Sequence, residues 1–241
     1  MQVLVSVNSV SEAQLVLAAG VTLIDLKDTS HGALAALDSD QSAQIMHTVN
    51  AYSGKHPEAE IVVSATVGDT AESAQALIDL IQQRTAIGVD IIKLPEAMWD
   101  NPVFAEAITE VLSAGIRLVA VFKPDSLLHH AQLESRLNAL AKQGYVGVMV
   151  DTIDKSSAVV DDVSHTQLKQ FAQMAEQLQM MVGVAGGLRQ EHLAALLTLE
   201  VGFIGFRSGL CEKGQRQSRL LADSVMAVVS HVSENCCIMS P

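Results

Sequence analysis

Aromatic residues make up only 3% of this 241-residue chain: one Trp, two Tyr and five Phe. A core without them must be built from Val, Ile, Leu, Ala and Met, side chains that suit layered strands and helices. Cysteine is as scarce. Cys211, Cys236 and Cys237 are odd in number and two are adjacent, so no disulfide framework is implied. Basic residues are outnumbered, with 15 Lys and Arg against 27 Asp and Glu, for a formal charge of −12. That balance, with no basic block, argues against a general nucleic-acid or anionic-membrane surface. No apolar run approaches the roughly 20 residues of a membrane span. Met1-Gln2-Val3-Leu4-Val5 lacks the basic start and long apolar core of a signal peptide. Cys237 to Pro241 is one residue out of register for a prenylation box. There is no Cys-x-x-Cys or His-x-x-x-His spacing for a metal. The expectation is a cytoplasmic protein with no nucleic-acid, membrane or metal partner.

What is present is alternation. Short apolar runs, read as strands, begin near residues 3, 23, 61, 90, 118, 146, 181 and 203, and each is followed by a helical stretch. Glycines stop several of those helices, at Gly20, Gly88, Gly115 and Gly144. Ser9 with Glu12, and Ser164 with Gln167, have capping-box spacing. Further helices are expected over Pro102–Ala114, Ser126–Gln143 and about 217–233. Eight strand–helix units near 30 residues each fit a single-domain (β/α)8 barrel over residues 1–235, with 236–241 as a short C-terminal tail. A doubly wound sheet would carry a Gly-rich turn after strand one, where this chain has Asn8-Ser9.

The strand ends carry the charge. In Leu23-Ile24-Asp25-Leu26-Lys27, residues two apart share a face, so Leu23, Asp25 and Lys27 emerge together. Lys93 ends strand four, Lys123 follows strand five, Asp151 ends strand six and Lys155 lies just beyond. Four of the chain's eight lysines thus converge on the C-terminal rim, where α/β barrels place their chemistry. Crowded amines disfavour protonation, and a neutral amine can attack a carbonyl to form a Schiff base. Carboxylates alongside can move protons. A lysine at one strand end alone would more often be an ordinary salt bridge. Gly186-Gly187 after strand seven and Arg207-Ser208-Gly209 after strand eight occupy the usual barrel phosphate position. The residues therefore suggest a phosphorylated carbonyl substrate. A class I aldolase-type barrel on another phosphosugar, and a barrel that only binds a phospho-ligand, remain open at this point.

With those residues in place the chain resembles the (5-formylfuran-3-yl)methyl phosphate synthase family, also called 4-(hydroxymethyl)-2-furancarboxaldehyde-phosphate synthase, over nearly its whole length. The shared features are Leu4-Val5-Ser6, Ile24-Asp25-Leu26-Lys27, Val63-Ser64-Ala65 with Gly68-Asp69, and Ile92-Lys93. Lys123, Asp151-Thr152 with Lys155, and Ala185-Gly186 follow. The last block is Gly205-Phe206-Arg207-Ser208-Gly209-Leu210-Cys211 with Lys213-Gly214 and Arg216. The resemblance implies condensation of two glyceraldehyde 3-phosphate molecules, with loss of one phosphate and of water, in methanofuran-type cofactor biosynthesis. It implies no cofactor, a phosphorylated triose substrate and a homo-oligomer. By the family pattern Lys27 is the Schiff-base lysine, surrounded by Asp25, Lys93, Lys123, Asp151 and Lys155. The loop after Lys27, Asp28-Thr29-Ser30-His31-Gly32, departs from the family's Asn-Pro-Pro-Glu-Gly.

Overall fold

The computed structural model describes residues 1–30, 34–152 and 157–238. Eight parallel strands close into a barrel in chain order, β1 to β8. They are β1 (Gln2–Val7), β2 (Leu23–Leu26), β3 (Val62–Thr66), β4 (Ile91–Pro95), β5 (Leu118–Phe122), β6 (Gly147–Val150), β7 (Met181–Ala185) and β8 (Phe203–Phe206). The helices are α1 (Val10–Ala18), α2 (Ser39–Ser53), α3 (Ala74–Ala86), α4 (Glu96–Trp99), α5 (Ala105–Ser113), α6 (His130–Gln143), α7 (Val159–Asp162), α8 (His165–Gln177), α9 (Leu193–Leu196) and α10 (Ala222–Ile238). The architecture is the (β/α)8 barrel that the alternation predicts. No helix among the described residues is long and apolar enough to cross a membrane.

Period-two alternation divides each strand between two cores. Leu4, Leu23, Val62, Ile91, Val119, Val121, Met149, Ala185 and Phe203 pack inside the barrel. Ile24, Leu26, Val63, Ile92, Val148 and Val184 face the helices and join the larger outer core. The inside is narrow, and one strand yields to another. A β-carbon on Gly183 would run into the Phe203 ring, so glycine is what lets that ring fill the barrel. The face assignment of β2 follows the sequence, with Leu23 inside and Ile24 and Leu26 outside.

Several boundaries differ from expectation. The Ser164–Gln167 capping box forms as the spacing predicts. At α1, Ser9 Oγ accepts from the Glu12 N–H, but the Glu12 carboxylate accepts from the Asn8 N–H instead of closing the box on Ser9. The helix expected over 126–143 divides into a 3-10 turn, Pro124–Leu128, and α6, because His129 leaves the helical region with ψ of 82°. The last helix begins at Ala222, later than its apolar pattern suggests. Residues 211–220 are held instead as a loop by an antiparallel bridge between Cys211 and Leu220.

Candidate active site

Four adjacent strands, β1 to β4, build the floor. The register sets Ser6 of β1 beside Asp25 of β2, and Asp25 beside Ser64 of β3. Both hydroxyls donate to the Asp25 carboxylate, each at 2.9 Å. Lys93 Nζ, from β4, lies 2.6 Å from the same carboxylate, and its side chain is 3% exposed. Asp25 thus carries two neutral donors and one amine, a well-satisfied buried charge. In the sequence Ser6 and Ser64 stand out only as parts of the family pattern. Their signal was a polar residue on the inward face of an otherwise apolar strand.

Lys27 sits one level higher. Its Nζ is 3.3 Å from Asp151 Oδ2, and both side chains are 7% exposed. The pairing differs from the sequence expectation, in which Asp25 holds Lys27 from two residues away. Residues i and i+2 of a strand lie about 6.5 Å apart along it, whereas groups on other strands can approach across the barrel mouth. Asp25 therefore goes to Lys93 and Lys27 to Asp151. Burial pushes the pKa of Lys93 below the ordinary lysine value, Asp25 opposes that shift, and the positive charge of Lys27 adds to it. One rim amine is shifted downward, then, and by burial more than by crowding.

Above the lysines a cavity opens, lined by Asp25, Lys27, Lys93 and Asp151 together with Gly186, Gly187, Arg207, Ser208 and Arg216. Gly186 and Gly187 have φ of 105° and 62°, in the region glycine favours, and close the chain tightly after β7. Gly209 is not on the cavity wall. It lets the β8 loop seat against the backbone of Leu188 and Arg189, where a β-carbon would collide.

Arg207 lines the cavity and makes four hydrogen bonds to protein. Nη1 bonds Glu12 Oε2 at 2.6 Å and the Ser6 carbonyl at 3.1 Å. Nε reaches the Arg216 carbonyl at 2.9 Å and Nη2 the Ser218 carbonyl at 3.2 Å. The guanidinium that the sequence suggests for phosphate also acts as a brace, joining α1 and β1 to the 216–218 segment. Arg216, absent from the sequence-based candidates, is the half-buried guanidinium that this brace carries to the cavity wall. Burial lowers its pKa, and the carboxylate of Asp151 opposes that shift.

One candidate lies apart. Lys123 is exposed after β5 and does not line the cavity; its backbone N–H donates to Glu96 Oε2 at 2.9 Å. Lys155 lies outside the described residues.

A family model described as 4-HFC-P synthase matches residues 3–229. A protein of Methylorubrum extorquens, provisionally named (5-formylfuran-3-yl)methyl phosphate synthase, is 32% identical over 221 residues, covering 91% of this chain and 86% of its own length. The (5-formylfuran-3-yl)methyl phosphate synthase of Archaeoglobus fulgidus is 28% identical, with 96% and 99% covered. That of Methanopyrus kandleri is also 28% identical, with 89% and 91% covered. Among solved structures, the phosphoribosyl anthranilate isomerase of Thermus thermophilus superposes with a TM-score of 0.61 at 13% identity, covering 97% of this chain and 99% of that one. A native KDPGal structure gives a TM-score of 0.62 at 17% identity, covering 98% and 100%. At such identities the two structures speak for the barrel alone.

Proposed function

Because the chain belongs to the 4-HFC-P synthase family, we propose that it condenses two glyceraldehyde 3-phosphate molecules into (5-formylfuran-3-yl)methyl phosphate through a Schiff base on Lys27. Carbon, hydrogen, oxygen and phosphorus balance when one phosphate and two waters leave. The product would serve a methanofuran-type cofactor made in the cytoplasm.

The observation that supports this most is the placement of Lys27. Its amine is buried at the cavity floor and faces one carboxylate, with a second ion pair beneath it. Addition of Nζ to an aldehyde carbon and loss of water gives an imine, which draws electrons from the neighbouring carbon and acidifies its proton. Asp151, within hydrogen-bond reach of Nζ, orients the amine and takes up the proton it sheds. Asp25 holds Lys93, and that pair supplies the second donor and acceptor the condensation needs. Gly186, Gly187 and Ser208 bring backbone close to a phosphate, and Arg216 supplies the positive charge. Arg207 and Gly209 act at one remove, by seating the β8 loop that carries them. Lys123, and Lys155 from outside the described residues, would complete the cationic rim.

The direct test incubates the protein with glyceraldehyde 3-phosphate and follows phosphate release and furan-aldehyde absorbance together. Borohydride reduction with peptide mass mapping then locates the adduct. Product with the adduct on Lys27 is the expected result; an adduct on Lys93, Lys123 or Lys155 would remove Lys27 from the role.

A further inference from the structure

A second cavity of about 310 Å³ lies beside the first and belongs to no step described so far. The two share three residues, Gly187, Ser208 and Arg216, so Arg216 stands in the wall common to both. Arg189, Gln215 and Gln217 line the outer space. Its charged side chains, among the described residues, are Arg189 and Arg216 alone, both cationic in a chain of net charge −12. A local excess of positive charge against such a background, ringed by neutral hydrogen-bonding groups, suits a phosphoryl group.

We propose that this outer space is a second phosphate subsite, holding the phosphate of one triose while the other triose is bound over Lys27. The inference rests on the two-triose reading above and adds where the second substrate lies. Two features favour it. First, the segment that carries Arg216 is held in advance. Arg207 bonds the carbonyls of Arg216 and Ser218, and is itself fixed by Glu12, so little ordering is left for binding. Second, Arg189 has room to respond. Its side chain is 65% exposed and reaches only a loose contact with Glu191, 3.5 Å away, a pairing a phosphate dianion can outcompete. Arg216, in the wall common to both cavities, contacts the Asp28 carbonyl at 3.5 Å.

The test compares two half-saturation concentrations for glyceraldehyde 3-phosphate. One is read from borohydride trapping, which needs a single triose over Lys27, and the other from furan formation, which needs both. Arg189→Glu, at an exposed position, reverses the outer charge with little cost to folding. The ratio of the furan value to the trapping value should rise about tenfold, the scale of one charge-assisted contact. A ratio equal to that of the wild type would overturn the subsite. So would a parallel rise of both values, since that would assign the outer space to the first triose. Failure of the wild-type protein to trap or to form any furan product would instead refute the two-triose reading itself, whatever Arg189→Glu does.

Discussion

Two charge clusters flank β4, one buried and one half-buried, and they are built to opposite ends. One is the mouth cluster, Asp25 with Lys93 and Lys27 with Asp151, facing a cavity. The other follows β4 and β5, against Trp99 and Phe122 of the outer core. There Glu96 accepts from Ser126 Oγ at 2.6 Å, from the Lys123 N–H at 2.9 Å and from Arg136 Nη2 at 2.5 Å. The Arg136 guanidinium also lies 4.5 Å from the Trp99 ring centroid and 5.1 Å from that of Phe122, a cation–π stack. In the outer cluster charge is matched by protein and covered by aromatic faces, which is how a fold pins two loops. In the mouth cluster amines and carboxylates border open space, which is how a site meets a substrate.

The comparison breaks or holds on substitutions that should act on one cluster and spare the other. The largest effect is expected at Lys27. Lys27→Arg keeps the charge but cannot form an imine, so borohydride trapping should vanish and furan formation fall by about 10⁴ or more. Thermal unfolding should stay near wild type. Asp151→Asn should lower kcat by about 10²–10⁴ if the carboxylate moves a proton. A loss confined to KM would make it a binding group.

Arg207 sharpens the contrast, because it borders the cavity yet is bonded like the outer cluster. Arg207→Gln strands the Glu12 carboxylate, whose side chain is only 9% exposed. Breaking a buried pair in that way costs about 3–5 kcal/mol, to be read from urea unfolding. A KM effect with undiminished stability would restore Arg207 to direct phosphate contact. Arg136→Met should cost about 1–3 kcal/mol of stability, with the rate of Lys27 trapping kept.

The smallest effect is a pH dependence. Burial alone would raise the pKa of Glu96, but hydrogen bonds from Ser126, the Lys123 N–H and Arg136 outweigh it and the net shift is downward. A carboxylate depressed on folding contributes stability that is present above its unfolded value, about 4.3, and is lost as pH falls through the lower folded value. Glu96→Gln should therefore lower stability at neutral pH and flatten its decline on the acid side, measured by urea unfolding from pH 6 to pH 3. An unchanged acid slope would mean that Glu96 takes no part in it.

Much of this was legible in the residues. Alternation of apolar and polar positions in Leu23–Lys27 places Asp25 inside the barrel, and the structure agrees. The recurrence of Lys and Asp after apolar strands brings Lys27, Lys93 and Asp151 to one cavity. Lys123 shows the limit of the same rule. It follows β5 as the others follow their strands, yet its side chain is exposed and does not line the cavity. Arg207 shows another, because a guanidinium after β8 suits either a phosphate or a carboxylate. The position of Glu12, 195 residues earlier in the chain, supplies the carboxylate here.

By itself the sequence determined the succession of strands and helices, the inward and outward faces of β2, and that Lys27, Lys93 and Asp151 stand at strand ends. Those follow from local periodicity and need no knowledge of what lies across the barrel. The tertiary structure alone decided who pairs with whom. Closing eight tilted strands staggers their ends, so that Lys93 meets Asp25 and Lys27 meets Asp151 across the mouth. Ion pairs depend on distances of a few ångströms between segments remote in the chain, and no local pattern encodes those distances.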